Sequence, residues 1–529
     1  MKKKNYLKGL RVLLAILFFI PTLLYFVDFA NLMPNHDDFL EIQLVPALLA
    51  GSTIVLFFQL ALVLIFGRIY CSSICPAGIL QDVINRIDRI IRRRITGKKM
   101  KSILRFRYHK PKNVFRYVLL GLTFVGFSFG IVELLLLFDP YSNFGRIATN
   151  LIRPFLVQLN NLFAIGLTAM DNYTLYQVTL KSVSIAGFAS GLIALSMFVV
   201  MVVLRGRLFC NTLCPVGALL SLFSRFSLFR IAIDKSKCVS CMSCERVCKA
   251  EAIDVRGMTI HCSSCVDCFN CISSCKKDAL HYQYHSPLSL FKKKEEPNAS
   301  SAASTPDVGK RHFFVASAAA MSALPGVSLL AKHKKKQLAN GKQRVAEPIV
   351  PPGALSLERF KDTCTACQLC VVQCPSEVLR PSGLEYGLGY LMRPYMSFDS
   401  TFCNYHCKDC IDVCPTGALK LLTIEEKQTT QVGIAHFYPN RCVVSKDGTD
   451  CGACSEHCPT QAVKMVDFRG SLRIPQVNAE ICIGCGGCES ICPVKPRKAI
   501  AVLSQTIHRI VKKPEKEKVR EVKVDDFGF

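Results

Sequence analysis

The sequence predicts a protein of mixed fold class, in which a four-helix transmembrane domain is followed by small α+β modules rich in cysteine. Three observations predict it. Twenty-nine of the 529 residues are cysteines, and most recur at fixed short spacings. Apolar stretches long enough to cross a membrane are concentrated in the first 210 residues. The formal charge of +27 is concentrated beside those stretches, which is typical of a membrane protein.

Six groups of four cysteines have the spacing of bacterial ferredoxins, in which three thiolates bind one [4Fe-4S] cubane and the fourth binds a partner cluster. Four groups have two, two and three residues between their cysteines, and two groups lengthen only the first gap. The regular groups are Cys238, Cys241, Cys244 and Cys248; Cys265, Cys268, Cys271 and Cys275; Cys364, Cys367, Cys370 and Cys374; and Cys482, Cys485, Cys488 and Cys492. The lengthened groups are Cys403, Cys407, Cys410 and Cys414; and Cys442, Cys451, Cys454 and Cys458. These cysteines predict six [4Fe-4S] clusters.

Other uses of cysteine fit these groups less well. Zinc sites usually separate two Cys-x-x-Cys pairs by a long stretch, and cysteines two residues apart are poor partners for long-range disulfides. No Cys-x-x-Cys-His occurs in the sequence, so we expect no covalent haem c. We also expect no nucleic-acid partner, because the basic residues flank membrane spans and do not line a soluble face.

Four apolar stretches predict transmembrane helices, at 10–27, 46–66, 118–138 and 185–204. A fifth stretch, 151–170, contains Arg153 and three amides and is predicted to lie at the outer interface. The loop after the second stretch, 68–116, holds fourteen Lys or Arg against two acids. The positive-inside rule therefore predicts a cytoplasmic N-terminus in the inner membrane.

The two predicted hairpins end in the same motif, which suggests duplication of a two-helix unit. Gly, Arg, Cys-x3-Cys-Pro and a later Gly recur, with the cysteines at Cys71, Cys75, Cys210 and Cys214. If the motif is helical, the two sulfurs of each Cys-x3-Cys pair lie one turn apart on the same face of the helix. Both pairs are predicted to lie at the cytoplasmic surface. The four thiols could hold a further metal or cluster, cycle between thiol and disulfide, or serve only in packing.

The composition divides the chain into five segments. Residues 1–232 form the predicted membrane domain, and 233–285 form a two-cluster module in which Lys249 and Lys276 replace the proline that often follows the fourth cysteine. Cys262 is a spare thiol of that module, unless the register shifts and it replaces Cys265 as a ligand. Residues 286–350 form a linker, with a twin-arginine-like export signal or a weak span at 310–331. A four-cluster module follows at 351–505, and a charged tail at 506–529. The sequence does not decide which motifs of the four-cluster module exchange their fourth ligands. The first can pair with the fourth and the second with the third, and sequential pairing fits equally well.

On the two Cys-x3-Cys-Pro motifs and the two ferredoxin motifs after them, residues 1 to about 285 resemble the NapH/MauN membrane family. From about 310 onward, the export-like signal and four cluster motifs resemble the NapG/MauM family. The resemblance implies oxidation of quinol in the membrane and electron transfer to a periplasmic reductase or a cytochrome c. It also implies a periplasmic four-cluster module, although Lys310 stands in place of the first arginine of the signal.

The chain is thus expected to be an electron-transfer protein, and quinol dehydrogenase activity is left open. Glu133 is the intramembrane carboxylate that could accept a proton from quinol. Proteins of the NosR and CcoG groups share the Cys-x3-Cys-Pro motif. No large N-terminal domain that would carry covalent flavin precedes the first span, so flavin is not expected. The CcoG resemblance supplies an alternative, a copper reductase or redox maturation factor, and a third hypothesis is an electron-transfer subunit without quinone chemistry of its own.

Overall fold

The computed structural model describes residues 6–29, 38–96, 106–178, 184–285 and 347–513. The predicted export signal or weak span at 310–331 lies outside these ranges, as do most of the linker and all of the tail beyond 513.

The described residues up to Phe226 are mostly helical and apolar. In chain order the helices are α1 (Tyr6–Val27), α2 (Asp38–Glu41), α3 (Leu44–Ala50), α4 (Thr53–Phe66), α5 (Tyr70–Ser73), α6 (Pro76–Thr96), α7 (Asn113–Ser128), α8 (Glu133–Phe138), α9 (Pro140–Ile147), a π-helical turn (Ala148–Ile152), α10 (Arg153–Thr168), α11 (Ile185–Arg205), α12 (Leu208–Thr212), α13 (Pro215–Phe223) and a 3₁₀ turn (Ser224–Phe226). Large apolar side chains such as Ile54, Phe57 and Ile185 point outward and are more than 70% exposed. Helices whose outer faces are this apolar are typical of a domain surrounded by lipid.

In the part of the chain that the structure describes, three helices are long and apolar enough to cross a membrane: Tyr6–Val27, Pro140–Thr168 and Ile185–Arg205. Tyr6–Val27 agrees with the first predicted span, and Ile185–Arg205 agrees with the fourth. The second predicted span is divided at Gly51, whose left-handed backbone (φ 73°) separates α3 from α4. The third is divided between α7 and α8 at Gly130, which has φ 74°. The stretch predicted to be interfacial, 151–170, forms most of the candidate span Pro140–Thr168, so the predicted count of four spans is not confirmed.

A two-cluster module follows the membrane helices. The strands β1 (Phe229–Ile233) and β4 (Leu280–Tyr284) pair antiparallel and close the module, while β2 (Ile253–Asp254) pairs with β3 (Thr259–Ile260). Two short helices, α14 (Ser243–Val247) and α15 (Asn270–Ser274), pack against each other between the strands.

The four-cluster module consists of short helices and three antiparallel strand pairs. The helices are α16 (Leu357–Thr363), α17 (Leu369–Gln373), α18 (Asp409–Asp412), α19 (Ile424–Thr429), α20 (Val443–Asp447), α21 (Ala453–Glu456) and α22 (Gly487–Ile491), with 3₁₀ turns at Leu388–Tyr390 and Pro439–Arg441. The strand pairs are β5 (Leu379–Pro381) with β6 (Pro394–Met396), β7 (Thr430–Phe437) with β10 (Ile500–Ile510), and β8 (Val463–Arg469) with β9 (Leu472–Val477). The small cores contain many cysteines, as expected where clusters replace apolar side chains.

The two modules lie at opposite ends of the membrane helices. Arg11, near the start of α1, contacts the end that carries the two-cluster module, whereas Phe26 packs beside Gly145, which adjoins the backbone of Cys367 in the four-cluster module. Arg11 and Phe26 are fifteen residues apart on α1, so the contacts that they make lie about 22 Å apart along this helix. One apolar core cluster includes residues of both modules and of the helices between them.

Candidate functional site

The four regular motifs share an unusual backbone conformation. In each, the residues immediately before and after the second cysteine have positive φ, and these residues are Ser240 and Met242, Asp267 and Phe269, Ala366 and Gln368, and Gly484 and Gly486. Six of the eight are not glycine, so three of the four loops hold strain that the surrounding structure must support. Such turns point successive backbone N–H groups to one side and form concave sites for anions, which suits an anionic iron–sulfur cluster.

Two cavities in the two-cluster module are each lined by four cysteines. Cys238, Cys241, Cys244 and Cys275 line one of about 430 Å³, and Cys248, Cys265, Cys268 and Cys271 line one of about 340 Å³. In each cavity the fourth thiol comes from the other motif, as ferredoxin spacing predicts. Cys262 does not line either cavity, and its sulfur lies near the Ile260 carbonyl, at 3.9 Å, and near the Arg230 side chain. The structure thus supports the interpretation of Cys262 as a spare thiol.

In the four-cluster module the motifs pair sequentially. Cys458 joins Cys482, Cys485 and Cys488 around a cavity of about 280 Å³. Cys454 lies among Cys451, Cys442 and Cys492, which completes the exchange. The same exchange joins the first two motifs, because Cys414 lies beside Cys367 and Cys374 lies beside Cys410. The alternative pairing of the first motif with the fourth is therefore not what the structure has.

The buried thiols in these modules are suited to iron binding. Backbone N–H groups donate to several sulfurs, including Ala252 to Cys248 and Ala279 to Cys275, at 3.4 and 3.3 Å. Burial raises the pKa of Cys248 and of Cys367 to about 12. Thiols in such surroundings become thiolates when a metal binds. The residues present therefore fit [4Fe-4S] clusters, which accept and release single electrons when bound.

The two Cys-x3-Cys-Pro motifs also converge. All four cysteines are buried and 3–4% exposed, and they are close enough to influence one another's charge. The arginine of each copy reaches the other copy: Arg68 donates to the Cys210 carbonyl at 3.1 Å, and Arg207 donates to the Cys71 carbonyl at 2.7 Å. The two guanidinium groups also lie 3.8 and 3.9 Å from the sulfurs of Cys71 and Cys210. Two buried cations beside four thiols would stabilise an anionic centre.

Close packing at the later glycine of each motif fixes this arrangement. A Cβ on Gly78 would overlap the carbonyl oxygen of Cys71, and one on Gly217 would overlap that of Cys210. The same two positions face the arginine from the opposite copy at 2.9 Å. The repeated glycines are therefore needed where backbone and guanidinium groups meet. Within the described ranges, no three His, Cys, Asp or Glu side chains are arranged around a single metal ion.

A buried carboxylate, Asp82 on α6, attaches the two-cluster module to the membrane helices. Its oxygens lie 2.8 Å from Arg207 and 2.6 Å from Lys249, and Arg11 of α1 completes the group. Burial raises the pKa of Asp82, but these three cations outweigh it and lower the pKa below its usual range. Lys249 occupies the position where proline was expected, so this departure from the ferredoxin pattern has a structural reason. The predicted site residues did not include Asp82.

The opposite end of the membrane domain contacts the first ligand loop of the four-cluster module. Arg146 donates to the Ala366 carbonyl at 3.3 Å, and Asn150 donates to the Gln368 side chain at 2.5 Å. Glu133 lies at this interface in an ion pair with Arg393, whose guanidinium is buried, at 3.3 Å. The structure therefore gives Glu133 a docking contact, and its predicted role as a proton acceptor stays a prediction.

Polar side chains lie between the Cys-x3-Cys-Pro motifs and this interface. Tyr70, which precedes Cys71, donates to Gln43 at 3.0 Å. Asp139 accepts from the backbone of Tyr141 and Ser142 at the start of α9. The Tyr141 hydroxyl is buried and has no hydrogen-bond partner in the described part of the chain. These residues could not be predicted from the sequence, because their identities are common and only the tertiary structure brings them together.

Comparison with protein families identifies several iron–sulfur domains. A 4Fe-4S binding domain matches 48–99 and 188–235, which include the two Cys-x3-Cys-Pro motifs. A 4Fe-4S dicluster domain matches 363–418 and 449–495, in agreement with sequential pairing. A further 4Fe-4S binding domain matches 231–254.

The curated relatives include ferredoxin-type proteins. The methylamine utilization ferredoxin-type protein MauM of Methylorubrum extorquens is 32% identical over 200 residues, which cover 36% of this chain and 86% of the relative. The ferredoxin-type protein NapG of Escherichia coli is 30% identical over 216 residues, covering 38% and 89%. NapF of the same organism is 23% identical over 166 residues, covering 31% and 90%. No solved structure matches.

Proposed function

Because the chain belongs to the MauM/NapG family of ferredoxin-type proteins, we propose that its iron–sulfur electron transfer begins with quinol. In this proposal the membrane domain binds quinol, and the electrons leave through the four-cluster module to a periplasmic reductase or a cytochrome c. Several [4Fe-4S] domains and relatives at about 30% identity support the electron-transfer role itself.

The observation that carries the proposal is the contact between the membrane helices and the first ligand loop of the four-cluster module. Arg146 and Asn150, at the α9–α10 junction, hold the backbone of Ala366 and the side chain of Gln368. These two loop residues flank Cys367. A ligand loop held against a membrane domain is suited to receive electrons from a lipid-soluble donor.

We assign four cysteines to each of six [4Fe-4S] clusters. Each set takes three thiols from one motif and the last thiol of its neighbour, as the cavities lined by Cys275, Cys248 and Cys458 support. The Cys-x3-Cys-Pro thiols are candidates for a seventh centre, which the family match over both motifs and the buried arginines favour.

The proposed orientation has the N-terminus and the two-cluster module in the cytoplasm and the four-cluster module in the periplasm. The basic loop at 68–116 supports it on the positive-inside rule. The positions of the modules at opposite ends of α1 agree with it. The Cys-x3-Cys-Pro site then lies between the modules, and electrons from one side could reach the other through it.

The four converging thiols favour a second candidate, a copper reductase or redox maturation factor of the CcoG type. The two functions differ in what the thiols do. A maturation factor should lose metal reduction when Cys71, Cys75, Cys210 and Cys214 are changed to Ser, even if the clusters of both modules remain. A quinol dehydrogenase should still be reduced by quinol at the four-cluster module.

The test is anaerobic reduction of the detergent-solubilised protein by menadiol, with the iron–sulfur absorbance followed over time. Bleaching on the timescale of turnover supports the proposal. Protein that dithionite bleaches but menadiol does not would contradict it, and the same preparation would then be assayed with Cu²⁺ as the oxidant.

A further inference from the structure

A cavity lies between the membrane domain and the four-cluster module. It encloses about 1300 Å³, including its open mouth. On the membrane side it is lined by the π-helical turn and the start of α10, including Asn150, Arg153 and Val157. On the module side it is lined by Gln368 and by residues from 371 to 381. The π-helical turn departs from the regular helix at this point, and such turns are frequent at functional sites.

Two polar groups that line the cavity have no partner among the described residues. The Nε2 of Gln368 is buried and makes no hydrogen bond, although the side chain is 2% exposed and its Oε1 accepts from Asn150. The Nε of Arg153 is likewise buried and unpartnered. A buried donor without an acceptor costs about 1–3 kcal/mol, so both groups favour a ligand with acceptor oxygens.

The position of Gln368 relates the cavity to electron transfer. Gln368 follows Cys367 in the first ligand loop and has a left-handed backbone, with φ 67°. Gln368 also lines the cavity, so it joins the loop that would hold an iron–sulfur cluster to the cavity wall. A ligand bound against Gln368 lies next to that loop.

The lining contains both polar and apolar side chains. Arg153 lies near the carboxylates of Glu377 and Asp28. Phe29, Val157 and Val178 form apolar parts of the wall. Along α10 the outer surface continues with exposed apolar side chains, Phe155, Leu162 and Phe163, each more than 55% exposed. A ligand with a polar ring and a long apolar tail matches a cavity of mixed lining beside an apolar outer surface.

We propose that this cavity binds the head group of a lipid-soluble hydroquinone, with its oxygens at Gln368 and Arg153 and its tail along α10. The proposal rests on the proposed function, which it deepens by locating the site. On oxidation the hydroquinone becomes quinone and gives up two electrons and two protons. An iron–sulfur cluster held by Cys364, Cys367 and Cys370 would accept the electrons one at a time, and Glu377, Asp28 or water would accept the protons.

The experiment measures binding of heptyl-hydroxyquinoline N-oxide, a quinol-site probe whose fluorescence is quenched on binding, to the solubilised protein with its clusters. Arg153→Gln removes a charged donor, and Gln368→Glu replaces an amide donor without changing size. We expect each to weaken binding about tenfold or more. Arg469→Gln, at the exposed β8–β9 turn, is the matched control and should bind like the unmodified protein.

A second measurement does not depend on any variant. A photoreactive azidoquinone should label peptides of 149–157 or 371–381 in the unmodified protein, and menadiol should protect them. Labelling elsewhere would overturn the proposal, as would displacement of the label by phospholipid and not by menadiol. Wild-type probe affinity in both variants would also overturn it.

The two proposals fail separately. If menadiol bleaches the clusters and the label lies elsewhere, the function stands and this site is wrong. If the label lies in the cavity and menadiol does not bleach the clusters, the site stands and quinol oxidation is wrong.

Discussion

Replacing Asp82 by Asn should release the two-cluster module from the membrane domain. The change leaves Arg207 and Lys249 buried without their anion, with side chains 1% and 8% exposed. Loss of one partner from a buried ion pair costs about 3–5 kcal/mol. Since each 1.4 kcal/mol is a factor of ten, the open population should rise roughly a hundredfold to several thousandfold.

Limited trypsin cleavage measures this opening, because cleavage of a transiently opened segment follows the open population when closing is fast. The bond after Lys249 is the site to follow. Asp88→Asn is the matched control on the same helix, since Asp88 pairs with the exposed Arg92, and such pairs contribute about 0–1 kcal/mol. Equal cleavage rates in the two variants would refute the reasoning.

The pH dependence of the unmodified protein gives a check on the same contact. The cations lower the pKa of Asp82 in the folded protein, so its stabilisation is fully present above the unfolded value of about 3.9. It is lost only as the pH falls through the lower folded value. Between pH 5 and 8 the ratio of the cleavage rates of the Asp82→Asn variant and the unmodified protein should therefore stay constant, because Asp267, whose pKa burial raises to about 6, is common to both.

Three other predictions concern the remaining contacts. Gly78→Ala should destabilise the protein by about 1–3 kcal/mol through overpacking, seen as a lower thermal midpoint, whereas Gly121→Ala, whose Cβ would meet open space, should not; equal midpoints would contradict the packing. Cys458→Ser should remove the cluster signal of the Cys482 motif and not that of its own motif, as measured by iron content and EPR; loss of the signal of its own motif would contradict the ligand exchange. Glu133→Gln should slow menadiol oxidation if Glu133 accepts the proton. An unchanged rate would show that Glu133 is not the proton acceptor and that its role is the ion pair with Arg393.

The sequence predicts the cluster motifs well because ligand spacing is a local property. The exchange of the fourth ligand also follows from spacing, since a loop of three thiols leaves the fourth pointing to a neighbour. Which neighbour receives it is not local. Cys458 approaches Cys482 only because their motifs fold together, so sequential pairing had to come from the structure.

For the membrane helices, the sequence predicts which stretches are apolar but not where each helix ends. Apolar composition indicates which stretches can enter lipid, but it does not show where a helix breaks. The left-handed turn at Gly51 divides one predicted span, and glycine was the available signal. The repeat at Arg68 and Arg207 is visible in sequence, whereas the exchange of their guanidinium groups between copies is a tertiary feature.

The measurement that tests the central claim most directly is the EPR spectrum of Cys364→Ser after menadiol is added without oxygen. Cys364 lies in the ligand loop that contacts the membrane domain. If electrons enter there, menadiol should reduce the clusters of the unmodified protein and leave those of the variant oxidised, while dithionite still reduces the remaining clusters of both. Reduction of the variant's remaining clusters by menadiol at the unmodified rate would contradict the account.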